Sequence, residues 1–122
     1  MPEKRKALGT AGERLATDYL SAHGYSVEAT NWHYRHHEID IIAAKGGITH
    51  VVEVKTRNQT DQITLPELVK RHQERSIIEA ADAYAKLHPS PLGVQIDIML
   101  ILVHPYKPSQ IEYYPDAIRP KF

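Results

Sequence analysis

Asp40, Glu53 and Lys55 are the charged residues most out of keeping with their surroundings. They stand in two strand-like runs, residues 37–43 and 51–55, at positions where strands usually carry apolar side chains. Gly46-Gly47 lies between the runs and is a strong hairpin signal, because both central residues of the turn can take positive φ. With those glycines as the loop, Lys45 pairs with Ile48, Asp40 lies opposite Glu53, and Glu38 lies opposite Lys55. Side-chain alternation places Glu38 and Asp40 on one face, and likewise Glu53 and Lys55. Directly opposed side chains sit about 5 Å apart at Cβ, where two like charges disfavour each other. A hard divalent cation between the carboxylates, with the lysine beside it, resolves that conflict. The plain alternative is a salt-bridge cluster of Asp40, Glu53 and Lys55 on a solvated sheet face.

The elements that must position these groups can be read along the chain. A length of 122 residues suits one domain with a real core, and 42% apolar with 25% charged residues is ordinary for a soluble globular protein. The spacing of Leu8, Ala11, Leu15, Ala16, Tyr19 and Leu20 predicts a helix over 8–23, ended by Gly24. Residues 25–34 read as an irregular strand, followed by the hairpin. Leu65-Pro66-Glu67 reads as the start of a helix that continues to about Leu87, with His88-Pro89-Ser90-Pro91 closing it. Residues 94–103 form a long apolar strand interrupted by Asp97. Residues 111–114 form a short last strand, at an edge because of Pro115. This order predicts an antiparallel meander, a crossover helix and a strand able to pair in parallel, in an α/β domain with a central mixed β-sheet flanked by helices. Residues 1–122 are expected to form that single domain, with residues 1–6 as a disordered basic tail.

Asp40 followed by Glu53-Val54-Lys55 on the next strand resembles the PD-(D/E)xK signature of the restriction-endonuclease-like fold. Within that superfamily the chain most resembles the YraN-like family of small bacterial proteins. The similarity rests on Gly12-Glu13-Arg14-Leu15-Ala16, His37-Glu38-Ile39-Asp40-Ile41-Ile42-Ala43, Val52-Glu53-Val54-Lys55-Thr56-Arg57 and Ile96-Asp97, in that order. It is also similar to the core of archaeal Holliday-junction resolvases. Two departures stand out: His37 takes the place of a glycine, and Ile96 that of a phenylalanine.

The resemblance implies a restriction-endonuclease-like core and metal-assisted hydrolysis of DNA phosphodiesters, in recombination or repair. It implies Mg²⁺ or Mn²⁺ held by the carboxylates of Asp40 and Glu53 and the backbone carbonyl of Val54. Lys55 would orient or deprotonate the attacking water, or stabilise the transition state. Glu13 would stand behind the ligands or hold a second ion. The competing reading is a non-catalytic nucleic-acid-binding or protein-interaction module with a vestigial site. A formal net charge of zero favours it, since non-specific DNA binders are usually basic.

Arg35, Arg57, Lys70 and Arg71, with Arg75, are candidate phosphate contacts, although a solvated helix surface would explain the helical ones equally well. The partner expected is nucleic acid, DNA before RNA, and resolvase-like relatives suggest a homodimer. Glu38 either pairs with Lys55 or extends the acidic site. Asp97 is either a hydrogen-bonded structural acid, the favoured reading, or a distant part of the site. A zinc site from His33, His36, His37 and His50 is disfavoured, because adjacent strand residues point to opposite faces. Trp32 and Tyr34 could stack on bases, but a core position suits Trp32 better. The absence of cysteine excludes disulfides and thiolate metal sites and fits a reducing cytoplasm. No apolar stretch approaches the roughly 20 residues of a membrane span, and no apolar segment follows the basic start as a secretory signal would require.

Overall fold

A computed structural model of the protein describes residues 2–58 and 71–119, with side chains described for 10–58 and 74–119. The elements follow one another as α1 (Pro2–Ala22), β1 (Ser26–Tyr34), β2 (His37–Lys45), β3 (Ile48–Asn58), α2 (Arg71–Leu87), β4 (Val94–Val103) and β5 (Gln110–Ile118). The strands form one open sheet in the order β1-β2-β3-β4-β5. β1, β2 and β3 are an antiparallel meander. The chain then crosses over so that β4 pairs with β3 in parallel, and β5 returns antiparallel at the edge. This is the expected α/β class, a mixed sheet with two helices among the described residues, consistent with a restriction-endonuclease-like core.

Each face of the sheet buries one helix. On the α2 side, Ile77, Ala80, Ala81 and Tyr84 pack on Ile39, Ile42, Val51, Ile96, Ile98 and Leu100. Those helix positions recur at three- and four-residue intervals, which makes one stripe of a helix apolar. On the α1 side, Ala16 and Leu20 pack on Ile41, Ala43, Val52, Met99 and Ile101. Leu15, expected on that face, is instead exposed. α1 comes close to β3 at buried Gly12, where a Cβ would collide with Thr56 Oγ1.

The Gly46-Gly47 hairpin forms with φ of 61° and 82°, and the predicted Lys45–Ile48 pair sets its register. Two expectations need correction, and a third lies outside the described residues. Residues 2–6, read as a tail, are continuous with α1. The last strand runs through Pro115 to Ile118. It can do so because the register shifts between Ile96 and Ile98, and Asp116 turns with φ of 52° and donates its N–H to Asp97 Oδ1 at 2.8 Å. That is an edge bulge, a place that tolerates proline. The start expected at Leu65-Pro66-Glu67 lies outside the described residues, whose helical segment begins at Arg71.

Candidate active site

The site lies where two strands part. The β2–β3 ladder runs from Lys45–Ile48 to Ile41–Val52 and stops, whereas β3 stays paired to β4 from Thr49 to Asn58. The next pair along would be Asp40 and Glu53, as the turn register requires, but they are not a bonded ladder pair. In place of a backbone carbonyl, Asp40 Oδ2 accepts the Val54 N–H at 2.7 Å. The N–H and C=O of one strand residue point to the same edge, so the Val54 carbonyl also faces the edge that β2 has left. β2 changes face here as well. Ile39 packs on the α2 side and Ile41 on the α1 side, although regular alternation would keep them together.

That change of face corrects the expected partner of Glu38. It does not share Asp40's environment: Asp40 is half-buried and Glu38 exposed. Glu38 sits opposite His33 on β1 and pairs with it at 3.5 Å, in place of the expected position against Lys55.

Glu53 is buried and Lys55 half-buried. Burial, then the charge of Glu53, push the Asp40 carboxyl up to about 7, with Glu13 adding to the rise and the Val54 hydrogen bond and Lys55 opposing it. Glu13 therefore contributes to the field of the site from α1, and its carboxylate accepts from Asn31 Nδ2 at 3.3 and 3.4 Å. Asn31, at φ 52°, is a neighbour that sequence reasoning missed. The only signal for it is a polar residue breaking the alternation of β1.

His37 is the other omission. Its Nε2 lies 3.2 Å from Glu53 Oε1, and this hydrogen bond is the main cause of the raised pKa of the imidazole. The sequence marked His37 only as a departure from glycine. The signal available was an ionisable side chain three residues before Asp40.

The donor set suits a hard cation that keeps some of its water. Among the described residues, Asp40 Oδ1, Glu53 Oε2 and Lys55 Nζ have no protein partner. No buried side-chain polar atom there lacks one, so solvent reaches these three. Two carboxylate oxygens, a backbone carbonyl and water are what Mg²⁺ accepts. Among the described residues, no group of three or more His, Cys, Asp or Glu side chains is arranged to hold a metal ion.

The candidate phosphate contacts are dispersed. Arg35 sits in the β1–β2 turn at φ 56°, with its guanidinium 5.2 Å from the Tyr34 ring centre. Arg57 follows the site on β3 and donates to Thr56 O at 2.8 Å. Arg71 opens α2, and Lys70 lies outside the described residues. Arg75 pairs with Glu79 at 3.8 Å. Trp32 packs on the core, edge-on to Tyr84, as its residue type suggested. The histidines take separate partners, with His50 bound to Asp97 at 2.7 Å on the α1 side of the sheet. No helix among the described residues is long and apolar enough to cross a membrane.

Residues 12–101 match the model of the uncharacterised protein family UPF0102. A UPF0102 protein of Parabacteroides distasonis is 40% identical over 99 residues, covering 81% of this chain and 82% of the relative. One from Bacteroides fragilis is 42% identical over 95 residues, 78% of each chain. One from Chlorobium phaeobacteroides is 38% identical over 108 residues, 88% of this chain and 85% of the relative. The matched span holds Gly12, Glu13, Asp40, Glu53 and Lys55 together, and with it the chain belongs to the UPF0102 (YraN-like) family.

Proposed function

We propose that the protein is a divalent-metal-dependent nuclease that hydrolyses DNA phosphodiesters in recombination or repair. The observation that carries this reading is the wedge between β2 and β3. There Asp40 and Glu53 are close enough for the charge of one to raise the pKa of the other, and Lys55 stands beside them with its ammonium free of protein partners among the described residues. Buried like charges are costly unless a cation offsets them.

Asp40, Glu53 and the Val54 carbonyl would hold Mg²⁺ or Mn²⁺. An ion bound there would lower the pKa of a water and offset charge on the scissile phosphate. Lys55 Nζ orients that water and stabilises the developing negative charge. The Val54 N–H fixes one oxygen of Asp40, leaving the other for the ion. Glu13, tied by Asn31, adds negative charge behind the pair. Arg35 and Arg57, with Arg71 at the head of α2 and Lys70 before it in sequence, would supply cations for the DNA backbone, which positions a substrate without reading its sequence.

The test is cleavage of labelled single-stranded, duplex and four-way-junction DNA in Mn²⁺, beside Asp40→Asn and Lys55→Ala. Cleavage by the wild type that falls at least about a hundredfold in both variants supports the proposal, since acid–base groups contribute about 10²–10⁴-fold. DNA bound but left intact by all three proteins would make this a non-catalytic binding module.

A further inference from the structure

Strand pairing sets a row of side chains on the α2 face of the sheet, leading from the wedge to the β1–β2 turn. Glu53 pairs with Ile98 and Lys55 with Leu100 on β4, and both of those partners pack on the α2 side. Paired residues share a face, so Glu53 and Lys55 lie on it too. Trp32 pairs with Ile39 and Tyr34 with His37. Trp32, Tyr34 and Ile39 pack on that same side, and His37 meets Glu53 at 3.2 Å. Tyr34 and the wedge therefore stand two strand spacings apart, about 10 Å. The row ends in a stack. The Tyr34 ring lies 3° from parallel to Trp32, with centres 6.4 Å apart, and Trp32 is fixed edge-on against Tyr84. Arg35 closes the stack, its guanidinium carbon 5.2 Å from the Tyr34 centre. Arg35 is exposed, and among the described residues no acid pairs with it, whereas Arg75, Lys86 and Arg119 are each tied to one.

We propose that the outer face of the Arg35 guanidinium is a platform on which an unpaired nucleobase beside the cut stacks, and that the site thereby selects DNA with unpaired nucleotides over continuous duplex. This rests on the nuclease reading above. A guanidinium laid on an aromatic ring is planar and keeps a second flat face, and unstacked bases lie on such planes as they do on aromatic rings. Its N–H groups point outward in the plane, so the edge stays free for a phosphate. Trp32 and Tyr34 hold the guanidinium in place from the core outward, so little ordering entropy opposes binding. A paired base is already stacked on its neighbours and reaches the platform only at the cost of unpairing. The span to the wedge equals roughly three duplex steps of about 3.4 Å, and an unstacked strand covers it with fewer nucleotides.

The test uses the full chain with EDTA or Ca²⁺ in place of Mn²⁺. Anisotropy of labelled DNA compares a continuous duplex with the same duplex carrying a single-stranded tail. 2-Aminopurine at the start of the tail reports stacking by loss of its fluorescence. Wild type is set beside Arg35→Lys, which keeps the charge without the plane, and Arg35→Asn, which removes both. Asparagine tolerates the φ of 56° at this position, and circular dichroism checks that both variants fold. Wild type should bind the tailed DNA at least about fivefold more tightly than the duplex, the effect of one stacked base, and quench the 2-aminopurine. Both variants should lose the preference and the quenching, while Arg35→Lys still binds duplex within about threefold of wild type because its charge is kept. Equal affinity of wild type for the two DNAs, or a preference kept by Arg35→Lys, would overturn the platform and leave the nuclease reading to its own cleavage assay. Wild type that binds neither DNA would overturn the platform, and a lack of cleavage in Mn²⁺ besides would overturn the nuclease reading with it.

Discussion

Asp40 is held toward its acid form by burial first and by Glu53 second, at about 7, whereas a free aspartate titrates near 3.9. A carboxyl whose pKa is raised by folding contributes stability that is complete below the unfolded value and is lost as pH rises through the folded one. The His37 imidazole is also raised, chiefly by its hydrogen bond to Glu53. Its contribution is complete below about 6.5 and lost as pH rises through its higher folded value. Both slopes have the same sign, so the site should cost the fold stability between about pH 4 and 8. Asp40→Asn removes the first of them and can still accept the Val54 N–H. Its Tm should exceed that of the wild type at pH 8 by several degrees, at about 2–8 °C per kcal/mol, and the gap should close at pH 4. Thermal melts across that range check it, and a gap independent of pH would contradict the charge conflict. The same ionisation would govern the proposed ion. Only the carboxylate ligates, so the rise in wild-type Tm on adding Mn²⁺ should grow from pH 6 to pH 8.

Between elements, α1 meets β3 where Gly12 faces Thr56, one residue before Glu13. A methyl group at residue 12 meets Thr56 Oγ1 on a stiff, β-branched side chain. Gly12→Ala gains about 1 kcal/mol of helix propensity against an overpacking cost of about 1–3 kcal/mol, and net destabilisation is the expected outcome in urea. Thr56→Ala should rescue it. Strictly additive effects of the two substitutions would mean that the contact is not there. The close approach was legible only as a Gly-Glu segment; its steric reason appears once α1 meets a strand 44 positions along. The hairpin was fully legible, since Gly46-Gly47 admits the turn that puts Lys45 against Ile48. The face change at Asp40 was not, because it depends on the Val54 N–H choosing a side chain over the ladder. That misled the placement of Glu38 and hid His37. β5 was read too short for a related reason: the backbone beyond Pro115 is held by an acid 19 residues away.

Across the molecule, the wedge and the buried polar cluster would divide the proposed function from stability. Asp97 is fully buried and accepts from His50 Nδ1 at 2.7 Å, Gln95 Nε2 at 2.8 Å, the Asp116 N–H at 2.8 Å, and the Tyr113 hydroxyl. It thereby ties β3, β4 and the edge strand β5. Burial, then the hydrogen bond to Asp97, raise the Tyr113 pKa, so its phenol stays protonated and able to donate. With both oxygens occupied and its side chain among Met99 and Tyr113 on the α1 side, Asp97 has no lone pair to spare for an ion, which is the structural role the sequence favoured. Asp97→Asn replaces one acceptor oxygen with a donor facing donors. It should cost about 2–4 kcal/mol, a large part of the roughly 5–15 kcal/mol that holds a domain together. Hydrogen exchange should locate the loss first in the β5 amides, where the bulge depends on Asp97, and then throughout the sheet. Mn²⁺ affinity of the folded variant should stay within about threefold of wild type, because α1 and the wedge keep their own contacts. A tenfold weakening in a variant whose β5 amides remain protected would instead make Asp97 part of the metal site, and the division between the two clusters would fall.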